Sequence, residues 1–207
     1  MRHVTVITHP LVQHNLTWLR DRQTPPAEFR RLLGEVTALM VYEATRSLDV
    51  KPVAVRTPLE RTTGAKLARE IVLVPILRAG LGMLPPLLDL IPNARVGFLG
   101  LKREETTLQA NFYYQSLPPS LGRSEVILID PMLATGGSAV AALDFLRAHG
   151  ARRLRLVNLV ASPEGIARVR QSYRTLPIFT AALDRGLNGR GYILPGLGDA
   201  GDRLFGT

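Results

Sequence analysis

The spacing of apolar residues changes along the chain, and each change marks an element. Val4-Thr5-Val6-Ile7 reads as a short strand, and Pro10 then opens a helical pattern with Leu11, Leu16 and Leu19 on one face. Pro25-Pro26 separates it from a longer helix, expected over 27–47. There Phe29, Leu32, Leu33, Val36, Leu39, Met40 and Ala44 form a stripe, with Arg30, Arg31, Glu35 and Arg46 off it. Such a stripe serves core or subunit packing. Val53 to Pro58 reads as a strand and Gly64 as a turn.

From Ile71 onward the pattern alters. Ile71 to Leu77 and Val126 to Ile129 are unbroken apolar runs, as expected of strands buried on both faces of a parallel sheet. Arg95 to Leu101, Leu154 to Ala161 and Ile178 to Leu183 are further strands, and Phe112-Tyr113-Tyr114 is a returning one. Helical patterns over 138–149 and 163–173 fall between them. This alternation predicts an α/β fold: a doubly wound, mostly parallel sheet with helices on both faces. The expected organisation is a single domain over 1–207. Its core covers about 71–183, and a small hood comes from the helical region 1–50 and the loop 184–207.

The chemistry gathers where buried strands stop. Val126 to Ile129 delivers Asp130, then Pro131-Met132-Leu133-Ala134-Thr135-Gly136-Gly137-Ser138 turns into a helix. Two glycines admit a ligand close to the backbone, Thr135 and Ser138 bring hydroxyls, and the helix start presents unpaired N–H groups, which together describe a phosphate cradle. A carboxylate at Asp130 can accept from two neighbouring sugar hydroxyls, so ribose 5-phosphate fits the pair. The strand over 71–77 likewise ends at Arg78-Ala79-Gly80, where an arginine offers five donors to a diphosphate or pairs with a carboxylate. The polar stretch Lys102 to Gln109 reads as a basic flap or a solvated hairpin.

Composition narrows the function. With no cysteine, thiolate metal sites and cysteine nucleophiles are excluded, and any metal must take oxygen ligands. His3, His9 and His14 share no ligand spacing. The net charge of +9 comes mostly from scattered arginines, since Lys51, Lys66 and Lys102 are the three lysines among 26 basic residues. Scattered charge suits a substrate with several phosphates better than a nucleic-acid stripe. The chain lacks an apolar run long enough to cross a membrane, and its start lacks that of a signal peptide, so the expected location is cytoplasmic.

The Asp130 to Ser138 stretch resembles the phosphoribosyl-diphosphate signature of the type I phosphoribosyltransferases, with Pro131 in place of the usual second acid. Its Asp-Pro-Met-Leu-Ala-Thr-Gly-Gly-Ser form is similar to that of the uracil phosphoribosyltransferases, as is the tail Tyr192 to Arg203. The resemblance implies transfer of phosphoribosyl from 5-phosphoribosyl 1-diphosphate to uracil. It assigns Arg78, Arg103, Asp130, Pro131, Met132, Leu133, Ala134, Thr135, Gly136, Gly137, Ser138 and Asp199 to the diphosphate substrate. It assigns Ile193, Gly198, Asp199 and Ala200 to uracil, largely through main chain, with Asp130, Arg78 and Asp199 in catalysis. Mg2+ is implied as cofactor, and the missing second acid leaves it held mainly by substrate oxygens and water. A homodimer or larger homo-oligomer and a GTP effector are also implied.

Backbone groups suit the base. Uracil's pairing edge reads acceptor, donor, acceptor, and peptide groups can complement it without a side chain. With six glycines in 184–203, the tail is expected to be an ordered loop without regular elements, anchored by Tyr192, Ile193, Leu194 and Leu197. A purine phosphoribosyltransferase and an RNA-binding regulator on the same fold are the competing readings.

Overall fold

Strict alternation along the central strands sends successive side chains to opposite faces of one sheet, and both faces are covered. In the computed structural model, which describes residues 3–103 and 110–207, Ile71 and Leu73 of β4 (Ile71–Leu77) pack into one core. Val72, Val74 and Ile76 pack into the other. β8 (Glu125–Ile129) divides the same way, with Ile127 and Ile129 on the first side and Val126 and Leu128 on the second. This explains why Ile71–Leu77 and Val126–Ile129 show no polar position.

The remaining strands of the sheet are β1 (Val4–Val6), β5 (Arg95–Val96), β6 (Phe98–Arg103), β7 (Ala110–Ser116), β9 (Met132–Leu133), β10 (Arg153–Ala161) and β11 (Ile178–Leu183). Their order is β1-β11-β10-β8-β4-β6-β7, with β5 beside β4 and β9 beside β10. Every pairing is parallel except β6 with β7. On the first face lie α1 (Pro10–Arg20), α2 (Pro26–Thr45), α3 (Leu84–Leu90) and α6 (Ala200–Phe205). On the second lie α4 (Gly137–Ala148) and α5 (Pro163–Ser172). The α/β expectation, with helices on both faces, is met.

Register brings the chemistry together. Pro75 of β4 lies beside Ile129 of β8, and Ile129 beside Val157 of β10, while Leu77 lies beside Gly100 of β6. The segments after Leu77 and Ile129 and the last residues of β6 therefore lie at one edge, the carboxyl end of the parallel strands. That edge is where open α/β sheets take ligands.

Three local expectations are corrected. Gly64 is no turn: it lies within β3 (Arg61–Leu67), opposite Val53 of β2 (Val50–Arg56). The hairpin turns at 57–60, where the Thr57 hydroxyl accepts from Leu59 and Glu60 N–H groups and supplies a stronger local signal. The strand expected over 95–101 is broken at Gly97 into β5 and β6. The tail contains regular structure, namely α6 and the pair β12 (Gly186–Leu187) and β13 (Ile193–Leu194), despite its glycines. The expected flap falls largely on 104–109, outside the described residues, as does the Arg103 side chain.

Candidate active site

At the end of β8 the backbone is passed to β10 one group at a time. The Pro131 carbonyl accepts from Leu159 and Val160 N–H, and the Leu133 carbonyl from Ser162 N–H. Buried Asn158 donates to the Asp130 carbonyl at 2.6 Å. Ser162 does two things: its hydroxyl donates to the Ala134 carbonyl at 2.6 Å and accepts from Gly165 N–H at 2.9 Å, capping α5. Residues 130–134 are thus fixed before any ligand arrives. Ser162→Ala removes both bonds and should lower stability by about 0.5–2 kcal/mol in urea unfolding. An unchanged midpoint would show that the cap is not needed.

The turn that follows is built for close approach. Gly136 has φ +77°, and a Cβ there would stand 2.8 Å from the Gly165 carbonyl. It occupies the N-cap of α4 with no side-chain cap, so the first-turn N–H groups next to Thr135, Gly137 and Ser138 keep their capacity to bind an anion.

A cleft of about 430 Å3 opens beside this loop, lined from the sheet side by Asp130, Met132, Ala134 and Ala79. From the tail come Ile193, Gly198, Asp199 and Ala200, all four of the residues expected to meet the base. Pro131 and Leu133 are buried behind the loop, so their side chains form its support rather than its surface. Arg78 is 59% exposed in its side chain and stands outside the cleft lining, 3.4 Å from Asp202 and with its guanidinium 5.9 Å from the Phe205 ring centre. A solvated pair at that distance contributes about 0–1 kcal/mol, so the arginine is held loosely beside the cleft.

Asp130 is electrostatically unusual. Burial pushes its carboxyl up to about 7, and the negative charge of Asp199 adds to the rise, against a hydrogen bond from Met132 N–H. Two carboxylates thus face one small space. Asp199 accepts from Asp202 N–H through Oδ1 and so caps α6. No three His, Cys, Asp or Glu residues converge on a metal site among the described residues. Two acids with no third fit a hard cation that brings most of its oxygen ligands with it on a phosphate-bearing substrate.

The sequence model described as uracil phosphoribosyltransferase matches residues 6–207. The chain belongs to that family. It is 52% identical over 208 residues to a uracil phosphoribosyltransferase of Symbiobacterium thermophilum, with all of each chain covered. A solved protein from Aquifex aeolicus is 41% identical, covering 98% of this chain and 97% of its own, at a TM-score of 0.93. A hypoxanthine-guanine phosphoribosyltransferase from Bacillus anthracis shares the fold at 16% identity, with a TM-score of 0.54 over 78% of this chain and 83% of its own.

Several residues that support the cleft escaped the sequence reading. Asp184 ends the apolar strand β11 just as Asp130 ends β8, a signal that was there to be read. Ser162 before Pro163 is a helix-start pattern, and Gly165 follows it in the first turn. Arg20 and Arg203 carried no local signal, because their partners include carbonyls and an acid far along the chain.

Proposed function

We propose that this chain catalyses reaction of 5-phosphoribosyl 1-diphosphate with uracil to give uridine monophosphate and diphosphate. The observation that carries this reading is the cleft itself, where Asp130, Met132 and Ala134, at the start of the phosphate-type loop, face Ile193, Gly198, Asp199 and Ala200 of the tail at one sheet edge. In the reaction the bond from the anomeric carbon to the diphosphate oxygen breaks. A bond to the uracil nitrogen forms, and that nitrogen loses its proton.

Positioning is the protein's main contribution. The turn Ala134 to Ser138, resting on Pro131 and Leu133, anchors the 5-phosphate on the α4 N-terminus, and Asp130 accepts from the ribose hydroxyls. Arg78 swings from its weak pair with Asp202 onto the leaving diphosphate, joined by Arg103 from the end of β6. Ile193, Gly198 and Ala200 offer main-chain groups to uracil, and Asp199 is placed to take the nitrogen's proton. Asp130 and Asp199, the two cleft carboxylates, would hold Mg2+ together with substrate oxygens and water, and the ion would supply charge neutralisation on the diphosphate.

The β2–β3 hairpin supports a homo-oligomer, since Val50, Val55, Leu59 and Leu67 are all exposed along it. The test of function is diphosphate release in the presence of Mg2+, with uracil, cytosine, hypoxanthine and adenine offered one at a time. Turnover with uracil alone is expected. Turnover with a purine would overturn the base assignment, and no turnover with any base would overturn the whole reading.

A further inference from the structure

Two arginines and a buried acid behind the cleft hold the tail's base-facing segment without touching the cleft. Arg20, in the last turn of α1, forms a two-pronged ion pair with Asp184 at 2.8 and 2.6 Å. The Asp184 side chain is only 5% exposed. The pair then grips one residue from both sides, through the peptide groups before and after it: Arg20 donates to the Gly196 carbonyl at 2.8 Å, and Gly196 N–H donates to Asp184 at 2.8 Å. One residue on, Arg203 of α6 donates to the Leu197 carbonyl at 3.0 Å. Its guanidinium also donates to the Leu19 and Asp21 carbonyls at the end of α1 and lies 4.5 Å from the Phe29 ring centre.

Gly196 admits no other residue here. Its φ is +60°, and a Cβ would stand 2.2 Å from the Ile193 carbonyl. The segment between Ile193 and Gly198 is therefore fixed at its midpoint by charged side chains from α1, the end of β11 and α6. None of the three lines the cleft.

We infer that Arg20, Asp184 and Arg203 are positioning residues that set base selectivity, by holding the peptide groups of residues 193–200 where only one pattern of donors and acceptors is satisfied. This rests on the proposed assignment of that segment to the base. The reasoning is energetic. A pocket made of main chain discriminates only as well as its backbone is held, because a segment free to move can re-pair with the wrong edge. A bidentate arginine–carboxylate pair that is mostly buried supplies directional restraint that a single lysine or a water cannot.

The test compares Arg20→Lys, Arg20→Gln and Asp184→Asn with the unaltered enzyme. Steady-state kinetics with uracil and with cytosine is measured alongside hydrogen–deuterium exchange of the segment 193–200 in the absence of substrates. KM for uracil is expected to rise at least about tenfold in Asp184→Asn and Arg20→Gln, and less in Arg20→Lys, which keeps one donor and the charge. KM for the phosphoribosyl diphosphate should stay within about twofold, the preference for uracil over cytosine should shrink, and exchange in the segment should speed up.

A parallel rise in both KM values, or unchanged discrimination with faster exchange, would overturn the inference by showing a general structural role. If Asp184→Asn does not fold, Arg20→Lys decides on the same readouts. Exchange that is slow in every variant would overturn the clamp whatever the base is. Failure of the unaltered enzyme to use uracil would count against the functional proposal instead.

Discussion

Asp130→Asn should lower kcat/KM for phosphoribosyl diphosphate by roughly 10- to 100-fold while making the protein more stable at pH 8. The loss in activity follows from hydrogen bonds to a charged acceptor, worth about 1.5–3 kcal/mol, with tenfold in rate for each 1.4 kcal/mol. The gain in stability follows from the sign of the shift. Asp130 titrates near 7 in the folded protein because burial and Asp199 disfavour its charge, whereas the unfolded chain releases that proton near 4. Between those values folding takes up a proton, so the stability present at low pH is lost as the pH rises through 7. A neutral asparagine escapes that loss. The two urea midpoints should therefore differ more at pH 8 than at pH 5. The unaltered enzyme should lose kcat/KM as pH falls below about 7, a limb that the asparagine variant lacks; because substrate phosphates titrate near 6, the variant is also the control. Parallel pH profiles in the two proteins would remove Asp130 from its proposed role.

Gly165→Ala is the second large effect. A Cβ at this position would stand 2.5 Å from the Ala134 carbonyl and 2.6 Å from that of Leu133, both rigid backbone atoms. Either α5 tilts away or the loop moves into the cleft. Overpacking of this kind costs about 1–3 kcal/mol, and the displaced loop should raise KM for phosphoribosyl diphosphate at least tenfold, with KM for uracil little changed. Gly34→Ala in α2 is the contrast: a Cβ there meets nothing within 4 Å. That change should leave kinetics alone and stabilise by about 0.5–1 kcal/mol. Equal effects of the two substitutions in urea unfolding would refute the packing argument.

The sequence revealed the sheet because its central strands are apolar on both faces, so β4 and β8 could not be mistaken for amphipathic helices. It singled out Arg78 and Asp130 because a charge at the end of such a strand stands out, and of the two only Asp130 lines the cleft. Gly64 misled, since glycine marks turns in general, while here a threonine hydroxyl at 57 organises the turn and the glycine sits within a strand. The tail misled for a related reason. Six glycines outweighed the cap signal of Asp199, and α6 is only six residues long, so its own periodicity is too short to read. For Arg78 the sequence offered a diphosphate contact or a carboxylate partner, and the structure has the arginine resting on Asp202. The clamp of Arg20, Asp184 and Arg203 was invisible because Arg20 meets Asp184 across 164 residues and the Gly196 carbonyl across 176, and a carbonyl has no letter in a sequence.

Asp199 has one oxygen committed to the Asp202 amide and lies in the wall of the cleft. The helix it starts carries Asp202, which steadies Arg78, and Arg203, which steadies Leu197. Winding of the last short helix and occupancy of the cleft therefore share a term in their free energies, and linkage makes the exchange reciprocal. Whatever draws on the Asp199 carboxylate is felt as fraying or tightening at the carboxyl terminus, and a disturbance of those final residues returns as altered affinity.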